Sequence, residues 1–521
     1  MDRLCHARRR TVAFVLAVAM LFALPSCNPG GSRRSVEWVA ACALPRFDPD
    51  GPPDDMRWSI ERLLSEGLTR ERADGRIEGA AADRFDVSQD GLSWTFHLRP
   101  NLRFTDGKPC TSTDFKSALA SGLARQDHGV CTALLGALHG MKPARAGRPR
   151  PPLGIETPDA RTVVLRLDRP DSLLPAKLAL PGISTPWRSR LAGGWRGAVG
   201  LGPYRLAGAD PGARMVMARV SGAGPDSVRL RFVIGEARLR SLLRAALVDL
   251  LWPLPPELLN QPMPTGYRLE RSEARPRRRL LLVMRADTPP TSHEEARRAL
   301  ANGINRADVL ATLGRSAAAN GELVSGAGPF PAPRYDAAQA VAWMAKGDLG
   351  RSFHVVLLYD ADREGAAVAS AMQGVWSRQN IDVELRGLRG SDFASEALGG
   401  REQLLLVEWQ PLERGPQFDA LGLVQAPRVP PSAAFRTGWR PGEWAALRAG
   451  ATPGKAAGAQ ALESALERDL VAVPLADLPW VRLVREGGPP APFHPHFGPD
   501  FAASPGAADT APGISGNSAG H

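Results

Sequence analysis

Apolar residues along the chain follow two different periods. From Ser93 to Leu98, Trp94, Phe96 and Leu98 share one face and polar residues the other, the two-residue period of a half-buried strand. Thr162 to Leu167 repeats it with Val163, Leu165 and Leu167. Further strands are predicted at Val36 to Leu44, Val228 to Ile234, Val248 to Trp252, Leu280 to Met284, Phe353 to Tyr359, Ile381 to Leu385, Leu404 to Trp409 and Val471 to Leu475. Met56, Ile60, Leu63, Leu64 and Leu68 instead recur at helical spacing. Other helices are predicted to open near Thr111 to Asp114, and to cover Arg238 to Leu247, Glu294 to Leu313, Asp336 to Lys346, Ala366 to Gln379 and Ala456 to Leu466. Asp336 is a helix cap and Gly347 a stop. The second half alternates strand and helix, which predicts a mainly parallel, layered α/β arrangement. From Gly487 onward Pro, Gly, Ala and Ser dominate, and 487–521 reads as a disordered tail.

The chain has 521 residues, room for about two to four domains. Its net charge is +11, and such a balance can signal nucleic acid or an anionic surface. Only 6 of the 65 basic residues are Lys, so the bias is compositional. The densest cluster past the N-terminus, Arg275, Arg277, Arg278 and Arg279, directly precedes an apolar strand and reads as solvated. No nucleic acid partner is expected.

The N-terminus sets the compartment. Arg3, Arg8, Arg9 and Arg10 precede an apolar run from Thr11 to Leu24. A membrane span needs about 20 residues, so this shorter run reads as the core of a signal peptide over 1–26. Leu24-Pro25-Ser26-Cys27 is similar to the lipobox of bacterial lipoproteins. That resemblance implies an acylated Cys27, a tether over 27–35 and an extracytoplasmic protein anchored to the membrane through lipid. Cys42, Cys110 and Cys131 then lie in an oxidising compartment. The spacing of Cys110 and Cys131 permits a disulfide, with Cys42 left as a buried thiol. No Cys or His spacing of a zinc site is present. His494-Pro495-His496 lies in the Pro-rich tail and is not read as a metal site.

Several segments carry a family resemblance. Glu66-Gly67-Leu68, then Val87 to Arg99 (VSQDGLSWTFHLR), then Phe104 to Pro109 (FTDGKP) and Thr113-Asp114-Phe115 resemble the family 5 extracellular solute-binding proteins, which serve ABC importers of oligopeptides, dipeptides and nickel. Gly202-Pro203-Tyr204, Val248-Asp249-Leu250, Arg297 to Leu300 with Ile304-Asn305-Arg306, and Ile381 to Leu385 continue the pattern. Asn305 stands where the family carries Asp. The resemblance runs from about Val36 to about Arg485. It implies an α/β, two-lobed, periplasmic-binding-protein type II-like fold, with an extra subdomain inserted in the first lobe. Lobe I would span 36–265 with the insertion at about 46–170, lobe II 266–468, and a return to lobe I 469–486. The implied function is capture of a small solute between the lobes by hinge closure, for delivery to ABC importer permease subunits. A peptide-like ligand comes first, with nickel chelates, haem and oligosaccharides as alternatives. The rival reading is a non-transport lipoprotein, a sensor, scaffold or enzyme, that retains the fold. A monomer without cofactor is expected.

In peptide-binding members of that family, an Asp after a Trp-bearing strand pairs with the peptide amine. Here the strand is Leu404 to Trp409, followed by Gln410 to Arg414, and the Asp has no match. Glu408 and Glu413 are the candidate substitutes and Trp409 a candidate stacking surface. The plainer reading makes both carboxylates surface groups and Trp409 core. No nucleophile elbow, zincin helix or phosphate loop is present, so no enzyme activity is expected.

Overall fold

The structure is a computed structural model. It describes most of 35–501, leaving aside 1–34, 502–521 and internal segments, chief among them 48–54, 125–133, 142–152, 272–277, 318–333 and 410–455. The signal peptide, Cys27 and the tether as far as Arg34 therefore lie outside the described residues, as do Cys131 and Glu413.

Strand β1 (Ser35–Ala40) is the first described element and alternates between two cores. Val36, Trp38 and Ala40 face one apolar cluster and Val39 the other. Helix α1 (Asp55–Leu64) follows, with nearly every residue buried. A helix buried all round must lie between packed layers. Met56, Ile60, Leu63 and Leu64 join the cluster of β1, whereas Trp58 joins a separate one. That separate core belongs to the four-stranded antiparallel sheet β2 (Ala82–Val87), β3 (Ser93–Leu98), β4 (Ile155–Asp159) and β5 (Thr162–Arg166), in the order β2-β3-β5-β4. The predicted alternation of β3 is met: Trp94, Phe96 and Leu98 are buried beside Phe115 of α2 (Ser112–Ala124).

The chain then returns through β6 (Tyr204–Asp210), β7 (Arg214–Arg219), β8 (Ser227–Phe232), β9 (Leu250–Leu251) and β10 (Tyr267–Arg271). It next enters a second sheet through β11 (Arg278–Met284). Helices α3 (Glu294–Asn302), α4 (Arg306–Leu313) and α5 (Ala337–Lys346), strand β12 (Phe353–Asp360), helix α6 (Gly365–Ser377), and strands β13 (Ile381–Leu388), β14 (Leu404–Trp409) and β15 (Ala472–Leu478) complete that half. Strand β16 (Val481–Arg485) crosses back. Among the described residues, the first lobe's sheet has seven strands in the order β10-β16-β9-β1-β8-β7-β6, and the second lobe's has five in the order β13-β12-β14-β11-β15.

The boundaries of the lobes differ from expectation. Strand β10, expected in lobe II, pairs with β16 in the lobe I sheet, and β15, expected in lobe I, pairs with β11 in the lobe II sheet. The chain thus passes between lobes after Arg271 and after Leu478, since each crossing segment first finishes a ladder in the lobe it leaves. The five-stranded sheet is mixed rather than mainly parallel. Strand β12 runs parallel to β13 and β14, whereas β11 is antiparallel to β14 and β15. Strand β11 enters the sheet from the other lobe and β15 leaves for it, and the two pair antiparallel with each other.

The tail expectation is corrected for the described residues of 487–501, whereas 502–521 lie outside them. Strands β17 (Phe493–His494) and β18 (Gly498–Pro499) pair as a short strap, and Phe501 is buried on Trp38. Aromatic residues within a Pro/Gly-rich segment reverse the compositional reading. Phe493 packs against Trp252 and Trp480, and Arg62 reaches Asp500 at 3.2 Å. His494, dismissed as a metal ligand, is buried with its ring nitrogen 3.2 Å from the Glu71 carbonyl.

The single helix predicted from Glu294 to Leu313 is two helices, α3 and α4, broken at Gly303 to Asn305. A side chain at Gly303 would collide with Trp376 and Gln379. Asn305 caps α4, its side-chain oxygen accepting from the Ala307 amide at 3.1 Å. Asn serves this role as well as Asp, so the departure at Asn305 leaves the local structure intact. Asn305→Ala is expected to cost about 1 kcal/mol, read as a lower urea midpoint at unchanged slope.

Candidate ligand-binding site

The sequence pointed to the end of β14. On one face of β14 the residues run Leu404, Leu406, Glu408, and on the same face of β11 Leu282, Leu280, Arg278. Glu408 stands opposite Leu280 in the ladder, which puts Arg278 on its diagonal, within reach of a long side chain. The apolar stripe therefore ends in an ion pair between Glu408 and Arg278. Both side chains are buried. Glu408 is thus not the surface carboxylate of the plainer reading.

The reading of the arginine cluster is corrected in the same place for Arg278 and Arg279; Arg275 and Arg277 lie outside the described residues. Arg278 and Arg279 are buried rather than solvated. The strand they begin is already inside a covered sheet, and each has an acidic neighbour, Glu408 for Arg278 and Asp477, at 3.7 Å, for Arg279. The Arg278 guanidinium also lies 4.3 Å from the centre of the Trp480 ring, in cation–π contact. Trp480 sits between β15 and β16, at the crossing from lobe II to lobe I.

A second arginine meets Glu408 from another element. Arg363, between β12 and α6, donates from Nη1 to Glu408 at 2.8 Å and from Nη2 to Asp55 at 2.8 Å. Its Nε is 3.4 Å from Asp360 at the end of β12. Burial works against its charge, yet Glu408, Asp55 and Asp360 outweigh that and hold its pKa well above the usual arginine value. Asp55 begins α1, so this contact joins the two lobes. Buried Arg278 and half-buried Arg363 thus converge on Glu408, a charge-assisted arrangement that is costly to break from either side.

Of the sequence-predicted residues, Glu408 is central to this network. Trp409 ends β14 with its backbone in register with Arg279; the structure does not describe its side chain. Glu413 lies outside the described residues. Cys110 is buried, and burial together with the Asp114 charge pushes its thiol pKa up; the expected partner Cys131 is not among the described residues. Cys42 is half-buried. Asp55 and Arg363 were missed. A signal existed for Arg363: Asp360-Ala-Asp-Arg-Glu-Gly365 is a charged run at the C-terminal end of a strand, where α/β sheets commonly place ligand sites. Asp55 carried none beyond its place in a first helical turn.

The family model described as "Bacterial extracellular solute-binding proteins, family 5 Middle" matches residues 76–425. The dipeptide-binding protein DppE of Bacillus subtilis (strain 168) is 31% identical over 126 residues, 24% of this chain and 23% of that protein. The probable D,D-dipeptide-binding periplasmic protein DdpA of Escherichia coli (strain K12) is 24% identical over 434 residues, 77% of this chain and 80% of that protein. The alignment with DppE thus spans well under two thirds of its length, that with DdpA most of it. Among solved structures, the murein tripeptide binding protein MppA of Escherichia coli superimposes with TM-score 0.74 at 18% identity, covering 91% of this chain and 97% of MppA. AgaA of A. tumefaciens R10, in complex with agropinic acid, gives TM-score 0.69 at 20% identity, covering 87% and 94%. These structures share the two-lobed α/β fold.

Proposed function

Because the chain belongs to family 5 of the bacterial extracellular solute-binding proteins, we propose that it captures a peptide-like solute between its two lobes and hands it to the permease of an ABC importer. The family match over residues 76–425 carries this reading. The family is one of binding proteins rather than enzymes. The peptide assignment is supported by DppE, DdpA and MppA, each described as binding a peptide. AgaA, with agropinic acid, marks how far the same fold extends beyond peptides. No specific observation favours the non-transport rival.

In this reading Glu408 does not receive a ligand amine, because its carboxylate is already held by Arg278 and Arg363. Glu413 and Trp409 remain the candidate contacts. Native mass spectrometry of the exported protein should find a co-purified peptide. Calorimetric titration with short peptides should then give one site per chain, weakened by about 1–2 kcal/mol in Trp409→Ala through lost stacking and burial. A co-purified non-peptide, with no heat from any peptide, would overturn the ligand class.

The extracytoplasmic location accords with the family, and we propose that lipid on Cys27 anchors the chain there. Diacylation at that residue would add about 0.8 kcal/mol per buried methylene. A palmitate analogue fed to expressing cells is expected to label the wild type and not Cys27→Ala. Equal labelling of the two would remove Cys27 as the anchor.

A further inference from the structure

We propose that Asp55 and Arg363 form an interlobe latch, one that draws the lobes together when no ligand is present. Among the described residues the chain passes between lobes at two crossings, after Arg271 and after Leu478. The Arg363–Asp55 contact at 2.8 Å joins the lobes apart from those crossings. Asp55 is buried on α1, whose apolar residues are part of the lobe I core. Arg363 belongs to lobe II and is fixed there by Glu408 and Asp360.

The fork of the guanidinium divides the work. Nη1 holds Glu408 within its own lobe, and Nη2 reaches across. Since the first contact already orders the side chain, the second loses little further rotamer freedom on closing. Glu408 is in turn held by Arg278, which stacks on Trp480 at the crossing. A chain of contacts therefore runs from Trp480 through Arg278, Glu408 and Arg363 to Asp55, and its last link, between Arg363 and Asp55, is a hydrogen-bonded ion pair between the lobes. Opening rehydrates both partners, and this offsets much of the lost attraction. The contact therefore biases the equilibrium without locking it. Ligand charge is not required to close this side of the cleft, and a ligand meets a protein that already samples the closed state.

The inference concerns the ligand-free protein, and its test contains no ligand. Its failure would leave the proposed function standing, and a different ligand would leave the latch standing. The full chain is stripped by unfolding and refolding. Spin labels are carried on keto amino acids at exposed Val220 of lobe I and exposed Val341 of lobe II, and the interlobe distance distribution is read by pulsed dipolar spectroscopy. The wild type is expected to show a major short-distance population. Asp55→Asn, which keeps the shape and removes the charge, should raise the open-to-closed ratio about fivefold or more, the effect of about 1 kcal/mol. Arg363→Lys keeps a positive charge near Glu408 and Asp360 but lacks the fork, and should open the lobes similarly. Asp382→Asn removes an exposed contact with His354 within lobe II, apart from Arg363, and should leave the ratio at the wild-type value. Unchanged distances in Asp55→Asn or Arg363→Lys, or equal opening in Asp382→Asn, would overturn the latch.

Discussion

Glu408→Ala should lower the unfolding free energy of the ligand-free protein by about 3–5 kcal/mol, the range for breaking a buried ion pair from one side. The cause is what remains behind. Arg278 is buried against Trp480 and Arg363 is only partly exposed, and both lose the carboxylate that neutralises them. A buried guanidinium cannot escape by deprotonation at accessible pH, so the penalty falls on the fold. Glu408→Lys adds a third positive charge and should be worse. Urea unfolding without ligand distinguishes this from a binding role. If Glu408→Ala unfolds like the wild type and only loses ligand, the carboxylate serves the ligand after all.

Phe501→Ala is the second large effect. Phe501 is 1% exposed, and its ring centre is 5.9 Å from that of Trp38. Truncating a core Phe costs about 3–5 kcal/mol, through lost transfer energy and the cavity left behind. Its backbone carbonyl also lies within reach of the Tyr204 hydroxyl, at 3.4 Å. Ending the chain after Gly488 should cost more, because Phe493, packed on Trp252 and Trp480, leaves too. Intrinsic tryptophan emission should shift red on truncation while the lobe II fold persists. A truncated chain with wild-type stability and emission would show that the Trp38, Trp252 and Trp480 cluster closes without the strap.

Periodicity located most elements because each has one dominant buried face. The strand Leu404 to Trp409 was predicted with the bounds it has, since six residues of LLLVEW leave little choice of state. The helix over 294–313 was not, since its break rests on Gly303 lying against Trp376 and Gln379, residues far along the chain. Composition misjudged 487–501 for a related reason: a few aromatic anchors outweigh many small residues once a partner surface exists. At the site, Glu408 was legible through its place at a strand end. Its role was not, because both arginines that hold it come from other elements. Ion pairs between distant segments leave no period in a sequence. The charge of Arg278 was visible, but its burial depended on β11 being covered on both faces.

The order of strands in the two sheets has a consequence for assembly. Among the described residues, all five strands of the lobe II sheet come from one stretch, residues 278–478. The lobe I sheet pairs β1, from Ser35, with β9, and β9 with β16, which ends at Arg485. Emerging from a ribosome or an export channel, the chain has every strand of the second lobe before it has the last strand of the first. Until Val481 to Arg485 arrive, β9 has one unpaired edge and β10 has no partner in the sheet, and such edges invite pairing with other chains. The first lobe to begin is therefore the last to finish, and the strap that seals its aromatic cluster follows the final strand.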